Sequence, residues 1–181
     1  MKVLALDLST TSTGWALFEG KELAKYGIVE PEKPKGFTKL KYPKKQLVRI
    51  MSIATQVHEI VQKYNPDKIV IEEINRGINR IGQKSLDALH FFVLFYIEAT
   101  QGLDNIKFID SNGKKGWRTI LKLSIKDKYK GKSVSERWKK VAEDFVNGRY
   151  KTNFSVWLRK EEADLCDAIC LGHCYLWKFN E

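Results

Sequence analysis

Cysteine is scarce in this 181-residue chain: Cys166, Cys170 and Cys174 are the only three, spaced four apart. Residues four apart on one helix do not present bridging geometry, and an odd number leaves one unpaired, so a disulfide scaffold is excluded and a reducing, cytoplasmic compartment is expected. Long apolar runs are missing as well. The longest, Leu89 to Ile97, is interrupted by His90 and falls far short of the roughly 20 residues a membrane span needs. The first residues are apolar only until Asp7, and no small-residue cleavage site follows, so neither a signal peptide nor a membrane partner is expected. Histidine is also rare, with three residues. His58 and His90 fall within apolar helical patterns and read as structural. His173 lies among the cysteines, but that set winds across a broad sector of one helix and does not converge on one ion. The cysteines read as small buried hydrophobes.

What remains is a folding composition, with 43% hydrophobic and 30% charged residues and an excess of ten positive charges. Length and composition predict one domain over residues 1–181. The charge is uneven. Residues 110–151 hold 13 basic and 5 acidic side chains, and residues 31–49 hold 7 and 1, leaving the remainder at −4. Focused basic segments beside an acidic centre suit a protein that grips phosphates.

The chain order reads as three strands (2–8, 11–18, 21–29, with a hairpin turn at Glu19-Gly20), an exposed lysine-rich loop (31–45), a helix (46–64), a strand (68–74), a helix (84–100), a strand (106–110), and then helices at 114–122, 133–146 and 161–177. Ser133 and Glu136 form a capping-box pattern that starts the second of these, and Asn147-Gly148 is expected to end it. An antiparallel meander feeding α/β crossovers implies an α/β fold with a mixed five-stranded sheet flanked by helices.

Five carboxylates stand out by context. Asp7 interrupts an apolar strand, Glu72 and Glu73 close another, and Asp164 and Asp167 lie three apart on an apolar helix, projecting from nearly one face. Acidic groups are seldom buried unless paired or bound to metal. A cluster of them repels itself unless cations neutralise it, and an oxygen-rich, imidazole-free set suits Mg²⁺ or Mn²⁺. The chemistry that needs such a cluster is phosphoryl transfer with two bound metals.

LALDLS with GWALF behind it, the VIEEI strand end, and EADLCDAICLG together resemble the RuvC-type Holliday-junction resolvases of the ribonuclease-H-like superfamily. The resemblance implies a ribonuclease-H-like sheet and a Mg²⁺-dependent endonuclease, with Mn²⁺ as a substitute. It also implies two ions held by Asp7, Glu72, Asp164 and Asp167, with Glu73 outside the metal site. The implied substrate is four-way or otherwise branched DNA, cut by paired symmetric nicks. The short, basic chain looks most like a phage or small bacterial member, which places it in the host cytoplasm if phage-encoded. One departure is plain: the family's aromatic residue shortly after the fourth-strand Glu corresponds here to Asn75.

Two other classes fit parts of the sequence less well. LDLSTTSTGWALF also resembles the phosphate-binding hairpin of actin-like and sugar kinases, but no second Asp-bearing strand-hairpin occurs in these residues. A non-catalytic branched-DNA-binding module is disfavoured by the carboxylates, since anions near phosphates weaken binding.

Candidate DNA contacts are Arg76 and Arg80, just after the Glu72 strand, and Lys114, Lys115 and Arg118 in the basic window. Trp117 and Trp138, interleaved with those charges, read as core more readily than as stacking platforms. The helix at 84–100 carries eight large apolar residues around His90 (Leu89 and Phe91 to Ile97). That exceeds one sheet-facing stripe, and the second cover is expected to be the same helix of another copy in a homodimer. The alternative is cover by the C-terminal helices.

Overall fold

Val3 and Ala5 alternate with Leu4 and Leu6 along the first strand, and all four are fully buried. A strand buried on both faces must be central and covered on each side. The computed structural model, which describes residues 1–73, 80–126 and 128–178, has that arrangement. β1 (Lys2–Asp7) is the middle strand of a five-stranded sheet ordered β3–β2–β1–β4–β5. β2 (Thr13–Glu19) and β3 (Glu22–Val29) run antiparallel in a meander, turning at Gly20 with φ +62°. β4 (Lys68–Glu72) and β5 (Ile106–Ile109) run parallel to β1. This is the mixed sheet expected from the sequence.

The period of two sorts the side chains. Leu4, Leu6, Leu17, Ile69 and Ile71 pack with α1 (Lys44–Tyr64) and α2 (Arg80–Gln101). Val3, Ala5, Ala16, Phe18 and Val70 pack with α4 (Val134–Tyr150) and α5 (Glu162–Lys178), joined by Trp117 of the single-turn α3 (Trp117–Ile120). The cysteines of α5 are free and buried in this second core, and burial pushes the Cys174 thiol up to about 12.

Two expectations and one alternative are corrected. The helix foreseen over 114–122 shrinks to four residues, because Gly116 is extended (φ −72°, ψ 149°) and Lys122 takes φ +55°, both outside helical space. The helix from Ser133 does not stop at Asn147-Gly148 but runs on to Tyr150, ending at left-handed Lys151. Asn147 supports the exit from outside the ladder: its amide donates to the Phe154 carbonyl (3.0 Å) and accepts from the Phe154 N–H (2.9 Å). The capping box at Ser133 and Glu136 is present. Finally, the C-terminal helices do not cover the outer side of α2, because they pack on the opposite face of the sheet. Phe91 and Phe95, one turn apart on α2, remain 73% and 69% exposed. Among the described residues, no helix is long and apolar enough to cross a membrane.

Candidate metal centre

The same parity that buries Val3 and Ala5 beneath α5 carries Asp7 to that face, and Val70 does the same for Glu72 on the adjacent strand. β1 and β4 are in parallel register, Leu6 opposite Ile71, so the two carboxylates emerge side by side at the strand ends. Glu73, one residue on, has the opposite parity and is exposed. From above, α5 contributes Asp164 and Asp167.

The approach of α5 depends on Gly14, paired with Asp7 across the β1–β2 ladder. A Cβ placed at Gly14 would lie 2.1 Å from the Asp164 carbonyl oxygen and 2.5 Å from the Leu165 nitrogen. Only a residue without a side chain admits the helix this close. Further along, a Cβ at Gly172 would sit 2.3 Å from the Phe18 ring, so the helix lies tight on the sheet at two points.

Asp7, Glu72 and Asp167 each bring a carboxylate oxygen within 4.8 Å of the others, and all three are partly buried. Asp164 stands beside this trio and interacts electrostatically with Glu72 and Asp7. Burial, reinforced by the neighbouring carboxylates Glu72, Asp167 and Asp164, holds the Asp7 carboxyl well above its ordinary range. Burial and then Glu72 push Asp167 up to about 8. Asp164 rises to about 6, through burial, against the pull of Lys139. Glu72 is raised by burial less freely, because the Trp117 indole N–H donates to its Oε2 at 3.0 Å and Ser111 also hydrogen-bonds it.

Among the described residues, the cationic support comes from Arg118 and, through its charge, Lys139. Arg118 reaches Asp167 at 3.9 Å. Its guanidinium lies over the rings of Trp117 (4.9 Å) and Trp138 (5.0 Å). Asp167 Oδ1 is buried and has no hydrogen-bond partner among the described residues. Four gathered carboxylates, one guanidinium and an orphaned carboxylate oxygen are what an oxygen-seeking divalent cation would complete. The donor set therefore fits Mg²⁺ or Mn²⁺.

Of the candidate DNA contacts, Lys114 and Lys115 lie exposed in the loop before α3, and Arg80 is exposed at the start of α2. Arg118 faces inward to the carboxylates rather than out to solvent. Arg76 and Asn75 lie outside the described residues. Trp117 is fully buried, as its core reading expected. Its bond to Glu72 and the contribution of Ser111 escape sequence reasoning, since 45 residues separate Trp117 from Glu72 and no local pattern links them. Lys139, whose charge favours ionised Asp164 and Asp167, had only its place in the basic window as a signal.

No protein-family model matches the chain. No curated protein matches it in sequence. Solved structures do. The Thermus thermophilus RuvC in complex with a Holliday-junction substrate aligns at TM-score 0.64 and 13% identity, over 99% of this chain and 96% of that one. The fowlpox virus resolvase in complex with substrate Holliday-junction DNA aligns at TM-score 0.52 and 16% identity, over the full length of both chains. The yeast mitochondrial Holliday-junction resolvase aligns at TM-score 0.55 and 15% identity, over 96% of this chain and 78% of that one. The chain thus has the ribonuclease-H-like fold of the RuvC-type resolvases, as the sequence resemblance implied.

Proposed function

We propose that this protein, residues 1–181 as one nuclease domain, is a metal-dependent endonuclease that resolves four-way DNA junctions and related branches. The observation that carries the reading is the convergence of Asp7, Glu72 and Asp167 within 4.8 Å, with Asp164 beside them, on a fold shared with junction resolvases. Asp7, Glu72, Asp164 and Asp167 are the residues that would hold two Mg²⁺ ions, or Mn²⁺ in their place. When bound, such ions supply Lewis acidity and lower the pKa of an attacking water.

The chain's own groups have separate tasks. Trp117 and Ser111 hold the Glu72 carboxylate in one orientation and favour its ionised form. Arg118, fixed between two indole rings, offsets charge at Asp167 and positions that side chain. Lys114, Lys115 and Arg80, with Arg76, supply phosphate contacts whose affinity falls with salt through counterion release. Free buried cysteines accord with a cytoplasmic setting.

The exposed Phe91 and Phe95 support a homodimer through α2. A two-fold pair of sites suits a junction that is itself nearly two-fold and allows paired symmetric nicks. Light scattering is expected to show a dimer for the native chain and a monomer for the Phe91→Asp/Phe95→Asp variant.

The deciding experiment incubates the protein with a four-way junction, a fork and linear duplex in Mg²⁺ and maps the cuts. Paired cuts on opposing strands of the junction, abolished by EDTA, are expected. Uncut junction under these conditions overturns the reading.

A further inference from the structure

A pocket of about 340 Å³ opens between the start of α4 and the segment leading into α5, lined by Lys132, Lys139 and Lys160 together with Glu136, Val156 and Trp157. Among the described residues its one lining carboxylate is engaged: Glu136 Oε2 accepts from the Ser133 N–H (3.0 Å) and hydroxyl (2.7 Å) in the capping box. The helix end is therefore already capped, and the cationic character of the pocket comes from the three lysines. Trp157 is 46% exposed, with Lys132 Nζ and Lys140 Nζ each 5.4 Å from its ring centroid and Tyr129 edge-on at 5.6 Å. Leu158 beside it is 86% exposed.

The backbone that presents these side chains is firmly held. The buried Glu143 accepts the Val156 N–H at 2.8 Å, and Glu162 accepts the Ser155 N–H at 2.7 Å. The Ser155 carbonyl accepts the N–H groups of Leu158 (3.0 Å) and Arg159 (2.8 Å). Trp157 and Leu158, on a segment so anchored, are held out to solvent by the structure. The pocket also adjoins the carboxylates: Lys160 precedes Asp164 by four residues, and Lys139 is near enough to pull on both Asp164 and Asp167.

We propose that this pocket receives one unpaired nucleotide of the DNA strand that crosses the carboxylates, its base on the Trp157 ring and its phosphates on Lys132, Lys139 and Lys160. An aromatic ring ringed by ammonium groups in a concavity of nucleotide size serves both halves of that ligand. A base entering the pocket displaces Lys132 from the ring and frees its ammonium for phosphate. Bases within duplex are already stacked and cannot use the ring, so the site selects strands opened at a branch. The inference rests on the DNA-acting reading of the carboxylate site and specifies which feature of branched DNA is recognised beside it.

The test measures anisotropy of a labelled single-stranded oligo(dT) and of an equal-length abasic strand, in EDTA so that nothing is cut. Native protein is expected to bind the strand with bases roughly tenfold more tightly than the abasic strand. Trp157→Ala should bind both equally, while Trp157→Phe keeps the preference and guards against a folding artefact. Lys132→Ala/Lys160→Ala should lower the slope of log affinity against log salt by about 1.4, because two phosphates are no longer neutralised. The exposed Lys33→Ala/Lys35→Ala pair should leave the base preference intact. Equal binding of the two strands by native protein, no binding at all, or an unchanged preference in Trp157→Ala overturns the proposal. Junction cleavage in Mg²⁺ is scored separately. A chain that cuts junctions but lacks the Trp157-dependent preference loses this inference alone. One that keeps the preference but cuts nothing loses the nuclease reading alone.

Discussion

The two faces of the sheet are built from the same strands and do different work. On the α1/α2 side, Leu4, Leu6, Ile69 and Ile71 pack among the apolar residues of the two helices. On the α5 side, Val3, Ala5 and Val70 begin in the same way, but the next residues of that parity are Asp7 and Glu72, and α5 adds Asp164 and Asp167 above them. A one-residue step along β1 thus separates a position that stabilises the fold from one that holds charge at a stability cost. The carboxyls raised by burial are the mark of that cost.

The largest test of the contrast pairs neighbours on β1. Asp7→Asn should reduce junction cleavage by more than about a hundredfold, since even outer-shell partners of a metal cost up to that much. Folding and junction binding should persist. Leu6→Ala should cost about 2–5 kcal/mol of stability, seen as a lowered melting temperature, while its folded fraction still cuts. If both variants lose stability equally and keep activity, the two faces are not distinct in function.

Gly14→Ala comes next. The added methyl would meet the Asp164 carbonyl, and overpacking of this kind costs about 1–3 kcal/mol. Displacing α5 by even part of an ångström separates Asp164 and Asp167 from Asp7. Cleavage should therefore fall by about tenfold or more, out of proportion to the change in melting temperature.

A smaller effect concerns pH. Asp167 titrates near 8 in the folded chain and near its ordinary 3.8 in the unfolded one, so the unfolded state releases this proton first. Stability tied to the protonated group is fully present below about pH 4 and is lost as pH rises through about 8. In metal-free protein, Asp167→Asn should melt close to wild type near pH 4. It should melt higher by on the order of 5 °C near pH 8. Saturating Mg²⁺ should raise the wild type and close the gap. A gap that is constant across pH would remove the charge explanation.

The smallest expected effect is at Glu73. Glu73→Gln should change cleavage by less than about twofold and stability by less than about 0.5 kcal/mol, whereas Glu72→Gln should behave like Asp7→Asn. Parallel single-turnover rates for the two variants decide it, and equal losses would place Glu73 in the site.

Much of this contrast is legible in the chain itself. Alternation in KVLALD and KIVIE exposes Asp7 and Glu72 as interruptions, and D-x-x-D on an apolar helix places Asp164 and Asp167 on one face. Periodicity reveals that the helices exist, but not where they end. The turn at Lys122 and the continuation through Gly148 depend on tertiary contacts such as Asn147 with Phe154. Arg118 in particular has the sequence surroundings of a surface cation. Only the fold shows it stacked on Trp117 and Trp138 and turned toward Asp167, because those partners are assembled by α3, α4 and α5 rather than by any local pattern.

The placement of α5 also has a consequence for biosynthesis. Two of the four carboxylates, and the lid over Val3, Ala5, Phe18 and Val70, belong to α5, 90 or more residues after Glu72. A growing polypeptide emerging at about 5–20 residues per second has translated Asp7 and Glu72 long before their counterparts. The α1/α2 layer can assemble around the sheet first, whereas the acidic cluster forms only when α5 docks. The chain therefore gathers its mutually repelling carboxylates only after most of the scaffold that must hold them has been made.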